Sequence, residues 1–208
     1  LVDTLLRLYD EEKLLDWEWG IYGHYKKLSH PCLAEQLRPY ICERTKGDIV
    51  RRVAINIAEA CELQILQDDL VNIALDPSQP QLIREEAACA ISRIGDDVTK
   101  VKLKSLVTGE AGDDIDDELK GYGLRAVWPN HITPKELFAI LTPPKENSFY
   151  RTYQHFLSEN LVQHIQPTDL PLALKWVEKQ RSLHNLSHHF KRPMDDIMLQ
   201  AWEHLELP

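Results

Sequence analysis

Apolar residues recur at i, i+3, i+4 and i+7 along almost the whole chain, and strand-like alternation is nearly absent. The spacing predicts helices at 3–17, 31–44, 48–63, 66–76, 80–94, 97–108, 114–127, 133–142, 148–165, 169–180 and 193–205. Asp48, Asp97, Thr133, Ser148 and Asp169 stand where N-caps belong, each offering an acceptor to free amides of a first turn. Pro134 falls just inside a predicted helix, where its missing N–H costs nothing. The expected chain is all-α with short connections.

The pattern also repeats at long range. In the second helix of each predicted pair, Leu70 and Ile73 return as Leu103 and Leu106, then as Leu137 and Ile140. In the first helix, Ala54, Ile57 and Cys61 return as Ala87, Ala90 and Ile94, then as Gly121, Leu124 and Trp128. Offsets of 33 and 34 serve both helices, which chance helical periodicity would not require. The small residues at 54, 87 and 121 predict a close neighbouring backbone, and the leucines at 70, 103 and 137 predict bulk facing a partner helix. One such hairpin cannot bury its own stripe, so copies must stack. The expected architecture is therefore a single right-handed α-α superhelix over 1–208. Residues 48–142 form three repeats, 1–47 form N-terminal capping helices, and 143–208 hold a degenerate fourth repeat and C-terminal capping helices. In that fourth unit Gln154 replaces the small residue, and Phe149, Tyr153 and Phe156 make an aromatic stripe.

The stretches "RRVAINIAEACE", "REEAACAISRIGDD" and "LKGYGLRAVWP" resemble the first helices of HEAT repeats, an armadillo-type α-solenoid family, across about half of the chain. Arg51 and Arg84 stand where such units often carry a basic residue, and Asp96 follows Ile94-Gly95 in the family manner. Glu118 departs from that pattern, as does the lack of a glycine after Trp128. The passage from Gly121 to Glu178 also resembles helical regions beside bacterial NACHT-type NTPases of the STAND class. That resemblance implies a repeat module that holds or releases a nucleotide-driven switch, with a role in antiphage defence. No G-x-x-x-x-G-K-[ST] occurs, so the nucleotide-binding part would lie elsewhere in a longer parent chain. The start at Leu1 and the end at Leu207-Pro208 fit that expectation.

Charge narrows the partner classes. The net charge of −9, from 33 acidic against 24 basic side chains, disfavours nucleic acid and anionic membrane surfaces. No run of about 18 apolar residues exists to span a bilayer. Cys32, Cys42, Cys61 and Cys89 show no metal-finger spacing, and read as reduced thiols of a cytoplasmic protein.

Candidate chemistry is sparse. His184 and His188 share a helical face at i, i+4, as two metal contacts would, with His189 adjacent. They lack an evident third ligand, so a polar connection between helices is the expected reading. Lys191 and Arg192 beside them suit a small basic contact patch. The run Asp113, Asp114, Asp116, Asp117 and Glu118 lacks the alternating spacing of a calcium loop and reads as carboxylates opening a helix. Asp69, Lys102 and Glu136 precede the column leucines, predicting an inter-repeat ladder of ion pairs. Asp68, Asn72, Lys100, Lys104 and Ser105 lie nearby, on what would be a partner-binding concave surface. Trp128, Trp176 and Trp202 are expected in the core, and Trp17 and Trp19 at a contact with another domain. His131 and His164 are expected at caps or on the surface.

The expected function is a non-catalytic scaffold or sensor module, without cofactor or metal, that binds a protein partner or neighbouring domains of its parent. Two enzymes of related architecture stand as alternatives: a HEAT-like bilin lyase, and a HEAT-like DNA glycosylase, which the acidic balance opposes. The column logic predicts that Leu103→Ala costs about 2–5 kcal/mol, measurable by urea unfolding.

Overall fold

The computed structural model describes residues 1–11, 13, 23–145, 151–180 and 188–205, with side chains of the last segment from Phe190 to His204. No strand occurs among the described residues. The helices are α1 (Val2–Asp10), α2 (Leu33–Cys42), α3 (Asp48–Ala60), α4 (Gln67–Leu75), α5 (Gln81–Ile94), α6 (Asp97–Lys102), α7 (Lys104–Thr108), α8 (Glu118–Val127), α9 (Pro134–Ile140), α10 (Thr152–His155), α11 (Leu170–Gln180) and α12 (His188–Leu205). A π-helical turn, Phe156–Asn160, continues α10.

The helices pack in two layers. One runs α1, α3, α5, α8 and α10, with α12 against the π-turn. The other includes α2, α4 and α6, and farther along α9 against α11. Across the layers α2 packs on α3, α4 on α5, α7 on α8 and α11 on α12. The core lies between them. Ala54, Ile57, Ala87, Ala90 and Leu124 are fully buried, as are Leu70, Leu103 and Leu137. The leucine column extends one unit further than the sequence reading took it, because Leu37 lies 33 positions before Leu70 and is equally buried.

Two buried arginines fasten the first two units, each to the helix that precedes it. Arg51 on α3 donates from Nε and Nη2 to the Ile41 carbonyl at 3.3 and 3.2 Å, and from Nη2 to Gln79 Oε1 at 2.9 Å. Arg84 on α5 donates to the Ala74 carbonyl at 3.1 Å, to Ala111 at 2.7 Å and to Asp113 at 3.3 Å. Ile41 and Ala74 occupy the last turns of α2 and α4, where carbonyls lack intrahelical partners. At the third unit the polarity reverses: Glu118, buried, accepts the Thr152 amide at 2.7 Å and so fastens the following segment.

Gly121 permits that junction. A Cβ there would overlap the backbone of Thr152 and Tyr153, lying 2.7 Å from the Thr152 carbonyl carbon. Tyr153 is fully buried, and its hydroxyl donates to the Thr142 carbonyl at 2.6 Å.

Several expectations change. The helix expected over 97–108 breaks at Leu103, whose carbonyl approaches α8 so closely that a Cβ at Gly123 would sit 3.0 Å from it. The helix expected from 114 starts at Glu118, after a loop with Asp117 at φ 65°. Asp96 rather than Asp97 caps α6, accepting the Thr99 amide. Gly47 precedes α3, leaving Asp48 as its first residue. Thr133 and Glu136 form the capping box of α9, as the sequence suggests. Asp169 closes a box with Gln166 on the short turn before α11, and Ser148 lies outside the described residues. Trp202 is not in the core: α12 turns Phe190, Met194 and Ile197 inward, and position 202 falls off that i, i+4, i+7 stripe, 68% exposed. Trp128 and Trp176 are buried, the latter against Phe138 and Phe190.

Gly121→Ala should therefore destabilise the fold by about 1–3 kcal/mol through overpacking against rigid backbone. Gly23→Ala, where an added methyl meets nothing within 4 Å, should change stability by less than about 0.5 kcal/mol. Paired denaturant titrations measure both.

Candidate interaction surface

The residues singled out from sequence on the second helices lie on one layer, but their pairing differs from the expected ladder. Asp69 accepts from Arg38 Nε at 2.8 Å. Lys102 reaches back to Asp68 at 3.4 Å, and Lys104 reaches forward to Glu136 at 2.6 Å. With α6 ending at Lys102 and α7 beginning at Lys104, the break at Leu103 gives the two lysines opposite neighbours. Bonds between units are present, but Asp69, Lys102 and Glu136 do not pair with one another in a row. The Lys104 hydrogen bond, helped by Thr133, holds the Glu136 carboxyl down to about 2. These pairs are largely exposed and screened by solvent, so they add little to stability.

Asn72 is exposed and Lys100 half-buried. Neither has an ion pair or side-chain hydrogen bond among the described residues, so both are available to a partner. Trp17, Trp19 and His184 lie outside the described residues; His188 begins α12, its side chain outside the description. His131 pairs with Asp97 at 3.3 Å, and His164 is exposed. Among the described residues no group of three or more His, Cys, Asp or Glu side chains is arranged to hold a metal ion.

Two exposed apolar columns escaped the sequence reading. Ile65 and Val98, 33 positions apart at the openings of successive second-layer segments, are each 72% exposed. Val101 adds to them. Ile49, Leu82 and Ile115 recur at the same offset near the N-terminal ends of the first-layer helices, and all three are exposed. The offset was present in the sequence, but repetition alone does not separate a buried column from a displayed one.

The acidic run is a junction. Asp114 accepts the Lys120 amide at 2.8 Å, Asp116 meets Arg151 at 2.5 Å and Gln81 at 2.9 Å, and Asp117 accepts the Lys145 amide at 2.8 Å. Lys120, buried, donates to Thr142 Oγ1 at 2.7 Å and lies 4.6 Å from the Tyr153 ring centre. Burial pulls its ammonium down to about 8, against the pull of Asp117 and Asp114. Glu85 faces the same run, and burial raises it to about 7; Asp116, Glu118 and Asp114 add repulsion, and a Gln81 hydrogen bond opposes the rise.

The signs separate the two groups. Between about 4.5 and 7 the folded chain keeps a proton on Glu85 that the unfolded chain has released, so this contribution to stability falls as pH rises. The contribution of Lys120 is complete above 10.5 and is lost as pH falls through about 8. Glu85→Gln should flatten the decline between pH 4.5 and 7 and leave the protein more stable than wild type at pH 8, as thermal melts across pH would measure.

No helix among the described residues is long and apolar enough to cross a membrane. The chain matches no family model, no curated protein and no solved structure.

Proposed function

We propose that the chain is a non-catalytic α-solenoid of the HEAT-like kind, a right-handed superhelix that binds a protein partner or neighbouring domains of a longer parent chain. The observation that carries this reading is repetition at one period in three independent features. The buried columns recur at 33 or 34 positions, the arginine fasteners Arg51 and Arg84 recur at 33, and the exposed pair Ile65 and Val98 recurs at 33. Repetition of core contacts serves stacking. Repetition of displayed apolar residues does not, and supports contact with an elongated partner.

The spacing suits such a partner. Neighbouring packed helices lie about 8–10 Å apart, and side chains seven positions apart on a helix are about 10.5 Å apart along its axis. An amphipathic partner helix would therefore meet successive units in register. Asn72 and Lys100 supply polar contacts beside Ile65 and Val98. The NACHT and STAND resemblance makes a sensor arm of a cytoplasmic bacterial NTPase, acting in antiviral defence, the specific form of this proposal.

Replacing Ile65 and Val98 together by aspartate should leave the melting temperature nearly unchanged, since both are exposed, and weaken recovery of the partner from the native source at least about tenfold. Equal recovery by both forms would overturn the interaction surface. In a parent NTPase, deletion of the arm should alter trigger-dependent ATP turnover, and unchanged turnover would remove the sensor form.

A further inference from the structure

At the C-terminal ends of three successive first-layer segments a polar pocket of about 230 Å³ opens. Arg93 comes from α5, Arg125 and Trp128 from α8 and its end, and Phe156 and Asn160 from the π-turn, with His164 at the rim. Ser92 also lines it, but its hydroxyl already donates to the Cys89 carbonyl at 2.7 Å.

Three features of this lining are unaccounted for by the fold. Arg125, half-buried, has no ion pair or hydrogen bond among the described residues. Trp128 is 7% exposed, and its indole Nε1 is closed from solvent without an acceptor. Asn160 Oδ1 is likewise closed off and unpartnered. A buried N–H without an acceptor is destabilising, because it loses its water without gaining a partner. Arg93 is balanced by Glu59, which leaves Arg125 as the uncompensated positive charge of the pocket.

The chemistry of the lining is selective. An indole N–H can only donate, a guanidinium only donates, and the Asn160 amide can turn its NH2 inward. Such a set fits an acceptor-only group, and the guanidinium fork matches the paired oxygens of a phosphate or carboxylate. The π-helical register at 156–160 adds a second sign, since such turns often occur at functional sites. The pocket is too small for a partner helix and lies on the other layer from Ile65 and Val98, so it is separate from the interaction surface.

We propose that this pocket binds the oxyanion group of a small molecule on the Arg125 guanidinium, with the Trp128 indole N–H becoming its second donor as the side chains shift to seat the ligand. The test is an ¹H–¹⁵N titration of the whole chain that follows the Trp128 indole resonance, assigned by its loss in Trp128→Phe. Inorganic phosphate and glutarate are the probes, and sodium chloride is the ionic-strength control. One oxyanion should shift that resonance saturably while chloride does not. Arg125→Gln should weaken the titration by about tenfold or more without moving the ligand-free resonance or the melting temperature. Saturation by phosphate alone identifies a phosphorylated ligand, and saturation by glutarate alone a carboxylated one. Calorimetric titration of wild type and Arg125→Gln gives the same comparison should Trp128→Phe not fold. Absence of saturation with both probes, or equal affinity in Arg125→Gln, would overturn the proposal.

Discussion

The guanidinium of Arg84 on α5 joins its helix to two other pieces of chain: the last turn of α4 at Ala74, and the loop that carries the carbonyls of Ala111 and Asp113. Arg51 performs the corresponding task one unit earlier at Ile41 and Gln79. A helix leaves its final carbonyls without partners, and burying such an end is costly unless a donor arrives from elsewhere. A side chain with five donors on the next unit's first helix meets that need and fixes the register of the two units together. The apolar columns supply the larger driving force, but they are tolerant of small slides. The arginines are not.

The departure at the third unit follows from the same constraint. Where Glu118 stands in place of an arginine, the junction is built from carboxylates receiving amides from the segment ahead, at Thr152 and Lys145. Gly121 lets that segment come within backbone contact, and the acidic loop supplies the acceptors. Burial at that junction raises Glu85 and depresses Lys120, and the gathered carboxylates add to the first shift and oppose the second. What reads from sequence as a faded repeat is a change in the direction of fastening. It keeps α10 stacked on α8 although Gln154 occupies the position that is small elsewhere.

Much of the architecture could be read in advance, and for a physical reason. Core columns obey both a helical and a 33-residue period, so Leu70, Leu103 and Leu137 are constrained twice and are visible twice. The capping box at Thr133 and Glu136 is equally local, and equally legible. The break at Leu103 was hidden because it depends on the approach of Gly123 from another helix. The ion pairs were legible as charges but not as pairs, since a lysine can turn to either neighbour. Trp202 misled because one helical position separates the inward stripe from solvent. The polar pocket has no linear signature at all: its lining spans positions 92 to 164 and meets only when three segment ends align.

Ion pairs among the described residues also join adjacent units: Arg52 pairs with Glu86, Arg93 with Glu59 and Lys102 with Asp68, each across 34 positions. Contacts of this reach close short loops, so a unit can order itself as soon as its predecessor is in place. If the units stack as the proposed solenoid, the chain would assemble by zipping from any formed pair and lose order from its ends inward. The reversed junction at Glu118 would then be the boundary between two cooperative blocks, one ending with α9 and the other beginning with α10.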